Sequence, residues 1–169
     1  MEQPDTKGLV IHGVQVADGI LAITQLPGRS GDYFTDLGHI CDWKPGLVIS
    51  LTLPEEMELA GAAGLGQDVQ RAASRWAHLP ISDFGTPGHE VRSRWPEVSH
   101  TARRALVGGG RVLIHCKGGC GRSGMAALRL MIECGESPEA ALTRLRAVRP
   151  CAVETEAQLE WALGGRKLG

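Results

Sequence analysis

The chain has 169 residues, with 18 Lys and Arg against 19 Asp and Glu and 43% hydrophobic residues, which describes one soluble globular domain and leaves little room for a second. Its formal net charge of -1 gives no overall attraction to nucleic acid or anionic membrane, so any anion must be held by a local device. No segment approaches the roughly 18 apolar residues of a spanning helix, which excludes an integral membrane protein of the helical kind.

Leu9 to Ile23 reads as two short strands joined through Ala17-Asp18-Gly19. After the break at Leu26-Pro27-Gly28, residues 30–43 carry Phe34, Leu37, Ile40 and Cys41 at helical spacing until Pro45-Gly46 stops them. Residues 47–51 are a continuous apolar run, as in a strand buried on both faces. Pro54-Glu55-Glu56 opens a helix, with acids at its positive end. A short helix follows over 67–75, then a brief strand over 76–79, and residues 81–88 read as a mobile loop. Residues 89–107 are helical in pattern, and Pro96 is expected to kink that helix or to open a second one. Residues 112–115 form another buried strand, and helices over 122–134, 137–148 and 155–163 close the chain, Ser137-Pro138 capping the second of these. Strands alternating with helices indicate a single α/β domain over residues 1–169, with a central, mostly parallel sheet flanked by helices.

The informative stretch is VLIHCKGGCGRSG, residues 112–124. A strand ends in Cys116, the chain runs through Gly118, Gly119 and Gly121, and a helix begins at Arg122. Glycines let the backbone curl so that successive N–H groups point inward, and the helix adds its positive end, which makes a nest for a tetrahedral dianion. A Cys at the lip of such a nest is favoured as thiolate, a nucleophile at neutral pH. Arg122 offers a planar fork for two phosphate oxygens, and Ser123 a hydroxyl for the sulfur. The nucleotide-binding pattern G-x-x-x-x-G-K-[ST] is not present. Cys116, Cys120 and His115 make only a weak metal site, since no second ligand cluster stands at suitable spacing.

Residues His115, Cys116, Gly119, Arg122 and Ser123 match the H-C-x-x-G-x-x-R-[ST] signature of the Cys-based protein tyrosine and dual-specificity phosphatases. The chain resembles that family from about 76 to 162, and more loosely before. Leu26-Pro27-Gly28, the loop Pro80-Ile81-Ser82-Asp83-Phe84-Gly85-Thr86-Pro87 and the run Glu154-Thr155 to Gln158 are similar to segments of its cyclin-dependent kinase inhibitor-associated phosphatase branch. The resemblance implies a phosphatase-like fold with a Cys-x5-Arg phosphate loop at the carboxyl end of the 112–115 strand. It implies a phosphomonoester hydrolase that uses neither metal nor cofactor, passes through a cysteinyl-phosphate and acts on phosphorylated Tyr, Ser or Thr. Cys116 is then the nucleophile, Arg122 and the loop residues Lys117, Gly118, Gly119, Cys120 and Gly121 bind phosphate, and Asp83 is the general acid. His115 supports the loop, Ser123 the thiolate, and Gln158 positions the second-step water, unless it is a surface residue of the last helix.

Cys120 lies four residues after the nucleophile, where oxidation could join it to Cys116 in a reversible disulfide, although a bridge so short would distort the nest. Cys41, Cys134 and Cys151 read as buried apolar residues. Five Cys, an odd number, in a chain that opens MEQPDTKGLV without an export signal point to a reducing cytoplasm. Trp76, Trp95 and Trp161 read as core. Seven aromatic residues in all leave few rings for a deep phosphotyrosine slot, which favours dual specificity or a small phosphorylated metabolite. The expected partner is a phosphorylated protein or small phosphomonoester, with no nucleic acid and no integral membrane, and the expected state is a monomer. Other readings of the same residues are a phosphoinositide phosphatase, supported locally by Lys117, a phospho-ligand binding module, and a thiol-dependent reductase built on Cys116 and Cys120.

Overall fold

The computed structural model describes residues 8–168. The opening residues used above to weigh an export signal, 1–7, lie outside them, as does residue 169. The elements in chain order are β1 (His12–Val16), β2 (Gly19–Thr24), α1 (Tyr33–Trp43), β3 (Leu47–Ser50), α2 (Pro54–Leu59), α3 (Leu65–Arg71), β4 (Arg75–His78), α4 (His89–Val107), β5 (Arg111–His115), α5 (Gly121–Glu133), α6 (Pro138–Val148) and α7 (Glu156–Leu163). Among the described residues no helix is long and apolar enough to cross a membrane.

The five strands form one sheet in the order β1-β2-β5-β3-β4, with β1 and β2 antiparallel and the other neighbours parallel. The mostly parallel sheet expected from the alternation is therefore present, with the hairpin as its antiparallel edge. Strand β5 is central and apolar on both faces, and side-chain alternation divides its contacts. Val112 and Ile114 join Leu21, Ile23, Leu47 and Ile49 in a core roofed by α4, α5, α6 and α7. Leu113 turns the other way, with Ala22 and Val48, into a second core that takes Ile40, Met57, Leu65 and Val69 from α1, α2 and α3.

Helix α4 passes through Pro96 as one element, neither divided nor restarted there. The ring removes one backbone hydrogen bond, at a cost of about 3 kcal/mol, but Val91, Trp95, Val98, Ala102 and Leu106 are all buried along the helix. Packing of that stripe holds the helix across the break.

The register decides where the chemistry sits. Thr24 of β2 and Ser50 of β3 both stand opposite His115 of β5, so three parallel strands end level. The chain leaving them stays paired for a step longer, through Leu26 N–H to Lys117 O (3.0 Å), Leu51 N–H to His115 O (3.0 Å) and Ile81 N–H to Leu51 O (3.0 Å). Four loops thereby meet at the carboxyl edge of the sheet, where open α/β sheets bind their ligands. Replacing Leu113 by Ala is expected to cost about 2–5 kcal/mol, read as a lower urea midpoint at unchanged slope. A loss below 1 kcal/mol would show that the α1–α3 face collapses to fill the gap.

Candidate active site

The loop of residues 116–120 is built with its carbonyls facing out. Lys117 O accepts from Leu26 N–H, Gly118 O and Gly119 O accept from the Arg149 guanidinium at 2.9 Å each, and Cys120 O accepts from the N–H groups of Gly124 (2.9 Å) and Val153 (3.3 Å). In a trans peptide the C=O of one residue and the N–H of the next point opposite ways. The N–H groups of Gly118, Gly119 and Cys120 therefore face the concave side, and α5 presents its N-terminus to the same space. Gly119 permits the curl: its φ is +75°, and a Cβ there would lie 2.8 Å from the Thr24 carbonyl carbon.

Around this nest is a cavity of about 160 Å³, lined among others by Cys116, Arg122, Asp83, Lys117, Arg29 and Glu154. Cys116 is buried, with its sulfur 3.2 Å from Ser123 Oγ. Arg29 Nη1 lies 3.5 Å from Lys117 O, and Glu154 lines the same cavity.

Arg122, expected to offer its fork to a phosphate, is itself held by protein groups. It is 1% exposed, and its fork grips Glu56, with Nη1 to Oε1 at 2.7 Å and Nη2 to Oε2 at 2.9 Å. Nη1 also donates to Ile81 O (2.9 Å), and Nη2 lies 3.3 Å from Asp83 Oδ1. Nε is buried without a partner. Two of the five donors are thus left for a ligand: Nε–H outright, and the Nη2 hydrogen shared with Asp83. Burial alone would raise the Glu56 carboxyl, but the hydrogen bonds from Arg122 and Leu53 N–H and the Arg122 charge hold it below the usual carboxylate range. The pair is an ion pair at neutral pH.

His115 is fully buried in a chain with one consistent assignment of protons. Trp76 Nε1–H donates to Ser50 Oγ (2.8 Å), Ser50 Oγ lies 2.6 Å from His115 Nε2, and His115 Nδ1 lies 3.1 Å from Cys116 O. A carbonyl only accepts, so Nδ1 carries the proton and Nε2 accepts from the Ser50 hydroxyl. Burial pushes the imidazole pKa down to about 4, which keeps it neutral.

The loop of residues 81–88, expected to be mobile, is tied at three carbonyls. Ile81 O accepts from Arg122, Gly85 O from Gln158 Nε2 (3.2 Å) and Pro87 O from Arg92 Nε (2.9 Å). Asp83 itself is half exposed, with Oδ1 accepting from Phe84 N–H at 3.0 Å. Gln158 is fully buried rather than a surface residue, its Oε1 accepting from Glu154 N–H (2.8 Å) and Thr155 N–H (3.3 Å). The amide ties the start of α7 to the Asp83 loop, next to Gly121.

Two readings of the cysteines are corrected. Cys120 is bonded to Cys151, not paired with Cys116. With its carbonyl and side chain both turned to the chain between α6 and α7, it cannot close a four-residue bridge without breaking the nest. Cys151 is accordingly not a buried apolar thiol, and Cys41, Cys116 and Cys134 are the free ones. The reductase reading, which needs Cys120 as the second thiol, loses that thiol. Among the described residues no three His, Cys, Asp or Glu side chains form a group suited to a metal.

Sequence reasoning missed Glu56, Arg149 and Arg29. Glu56 was visible only as an acid in the first turn of a helix, and Arg149 and Arg29 carried no local signal.

Residues 80–164 match the family model for protein-tyrosine phosphatase. The chain belongs to the protein-tyrosine phosphatase family. It is 42% identical over 73 residues to mouse (Mus musculus) cyclin-dependent kinase inhibitor 3, a match covering 43% of this chain and 33% of that one. The chain thus spans about a third of the length of the curated relatives it matches. A solved structure of kinase associated phosphatase, with serine in place of its catalytic cysteine, overlays with a TM-score of 0.79 at 22% identity, over 94% of each chain. Tk-PTP in its active form overlays with a TM-score of 0.68 at 29% identity, over 90% of this chain and 94% of that one.

Neutral His115 gives a signed pH effect. Between about pH 4 and 6.5 the unfolded chain binds a proton that the folded one does not, so stability falls as pH drops through that window, by a few kcal/mol in all. His115→Gln removes the titrating group. Urea midpoints at pH 7 and 4.5 should drop less for the variant than for wild type, and equal drops would mean that His115 is protonated in place.

Proposed function

We propose that the protein hydrolyses phosphomonoesters of phosphorylated proteins, on Tyr as well as Ser or Thr, through a cysteinyl-phosphate. One observation carries this reading: Cys116, Asp83 and Arg122, whose Nε is unpartnered, line one cavity with the loop whose N–H groups face inward. Family membership supports the same chemistry.

In the first step Cys116 thiolate attacks phosphorus in line with the ester oxygen. The S–P bond forms and the P–O ester bond breaks, while Asp83 as carboxylic acid gives its proton to the departing oxygen. The N–H groups of Lys117 to Gly121 and Arg122 Nε hold the three equatorial oxygens, where the charge of the transition state spreads. In the second step Asp83, now carboxylate, takes a proton from water as that water attacks phosphorus. The S–P bond breaks, and the thiolate returns to the Ser123 hydroxyl at 3.2 Å. His115, neutral and fixed by Ser50, holds the Cys116 carbonyl and so the pitch of the loop. Gln158 acts on this step through the Gly85 carbonyl, keeping the Asp83 loop over the cavity.

The shallow cavity, with a single exposed aromatic residue, Phe84, at its edge, suits phosphorylated Ser and Thr as well as Tyr. The setting proposed is the cytoplasm, and the working form is a monomer.

The test is phosphate release from two arylphosphates and an alkyl phosphate, one with a good leaving group and two with poorer ones. Cys116→Ser should abolish turnover. Asp83→Asn should lower kcat by roughly 10²–10⁴-fold for the poor leaving groups and much less for the good one. An Asp83→Asn effect independent of the leaving group would remove Asp83 from the acid role. Turnover that survives in Cys116→Ser would overturn the mechanism.

A further inference from the structure

Residues 149–153, between α6 and α7, run along the outer side of the phosphate loop and fasten it. Arg149 Nε donates to Gly119 O and Nη2 to Gly118 O, with Nη2 also 3.4 Å from Cys120 Sγ. Val153 N–H donates to Cys120 O, and Cys151 is bonded to Cys120. The strap is itself held in place: Arg146 Nε donates to Ala152 O (2.9 Å) and Nη2 to Val153 O (3.0 Å). A Cβ on Gly124 of α5 would lie 2.6 Å from Val153 N, so helix and strap are in close contact. Val153 has φ +69°, a conformation that a β-branched residue keeps only where its surroundings impose it.

The consequence is one of polarity. The peptides joining Gly118, Gly119 and Cys120 put N–H groups toward the anion because their carbonyls have partners on the strap. If those partners withdraw, a peptide flip places a carbonyl in the cavity, where it repels a dianion.

We propose that Arg149 and Cys151 are positioning residues for the phosphate loop, and that the Cys120–Cys151 bond sets how tightly the site holds a phosphate dianion. With the bond closed the strap is locked and phosphate binds tightly. With it open only hydrogen bonds from Arg149 and Val153 N–H join strap to loop and phosphate binds more weakly, while Cys116 is a free thiol in both forms. Opening requires a dithiol reductant: its two sulfurs join in a disulfide as it gives up two electrons and two protons, and the Cys120–Cys151 bond breaks to two thiols. The sign is opposite to oxidation of a nucleophilic cysteine, since here the oxidised form is the competent one. The closed bond also keeps Cys120 from capturing an oxidised Cys116.

The kinetic part rests on the phosphatase reading above, and the experiment separates the two. Wild type as isolated, wild type after dithiol treatment and removal of the dithiol under argon, and Cys151→Ser are compared. Alkylation and mass spectrometry count thiols, and calorimetry with inorganic phosphate and aryl phosphate kinetics read the site. Three thiols, Cys41, Cys116 and Cys134, should alkylate before reduction and five after it. Reduction should weaken phosphate binding and raise KM by about tenfold, the scale of one lost charge-assisted hydrogen bond, with a smaller change in kcat. Cys151→Ser should match reduced wild type and not respond to dithiol. Should Cys151→Ser fail to fold, the two wild-type samples still decide. Five reactive thiols before reduction, or phosphate affinity and KM unchanged by it, overturns the proposal. Redox-dependent phosphate binding without turnover in any sample would sink the phosphatase reading and leave the strap standing.

Discussion

The site depends first on carbonyls that are held outward. A glycine-rich loop has no side chains to fix its peptide planes, and the inward N–H groups cannot fix them before an anion arrives. The partners come from elsewhere: Leu26 N–H from the chain after β2, Arg149 and Val153 from beyond α6, and His115 beneath Cys116. Each of these acceptors is satisfied, so the energetic cost of arranging the donors is met in folding rather than in binding. The pre-set nest explains how a chain of nearly neutral charge can recognise a dianion: its positive potential is made of oriented dipoles and one buried guanidinium.

That guanidinium has a second function. Arg122 links Glu56 of α2, the Ile81 carbonyl that leads into the Asp83 loop, and α5, on which it sits. Isolated in so buried a position its charge would be costly, and Glu56 offsets that with a two-point contact. The pairing also limits what Arg122 can offer a ligand. With Nη1 fully engaged, orientation comes from Nε and from the Nη2 hydrogen near Asp83, so the ligand oxygen is confined to one edge of the guanidinium plane. Glu56 thereby aims Arg122, although it lies outside the cavity lining.

Most of the fold was legible in the sequence, because burial on both faces of β3 and β5 writes uninterrupted apolar runs, and Ser137 and Thr155 cap their helices in the ordinary way. Cys116 and its loop were legible for a different reason, since a nest needs its glycines, Cys and Arg within nine residues of chain. What could not be read were contacts that join distant segments. Glu56 reaches Arg122 across 66 positions and Arg149 reaches Gly119 across 30, and neither leaves a local pattern. Cys120 misled because sequence proximity favoured Cys116, whereas the fold brings Cys151, 31 residues away, against it. Pro96 does not open a second helix, because the buried stripe of α4 overrides its propensity.

Asp83 and an incoming phosphate compete for the same donor. Asp83 Oδ1 is 3.3 Å from Arg122 Nη2, with the side chain about half exposed. A phosphate oxygen that takes Nη2–H must displace that carboxyl, and the displaced group has little freedom, because the loop is tied at Ile81, Gly85 and Pro87. Asp83 lines the same cavity as Cys116, so in the proposed reaction the freed carboxyl stays beside the bound phosphate. Binding would then do two things at once in the proposed reaction. It frees the Asp83 carboxyl from Arg122, and it sets the substrate beside that carboxyl. After the leaving group departs with that proton, the carboxylate faces the vacated position, where the second-step water must enter. One exchange of partners at Nη2 thus readies the same side chain for both halves of the reaction.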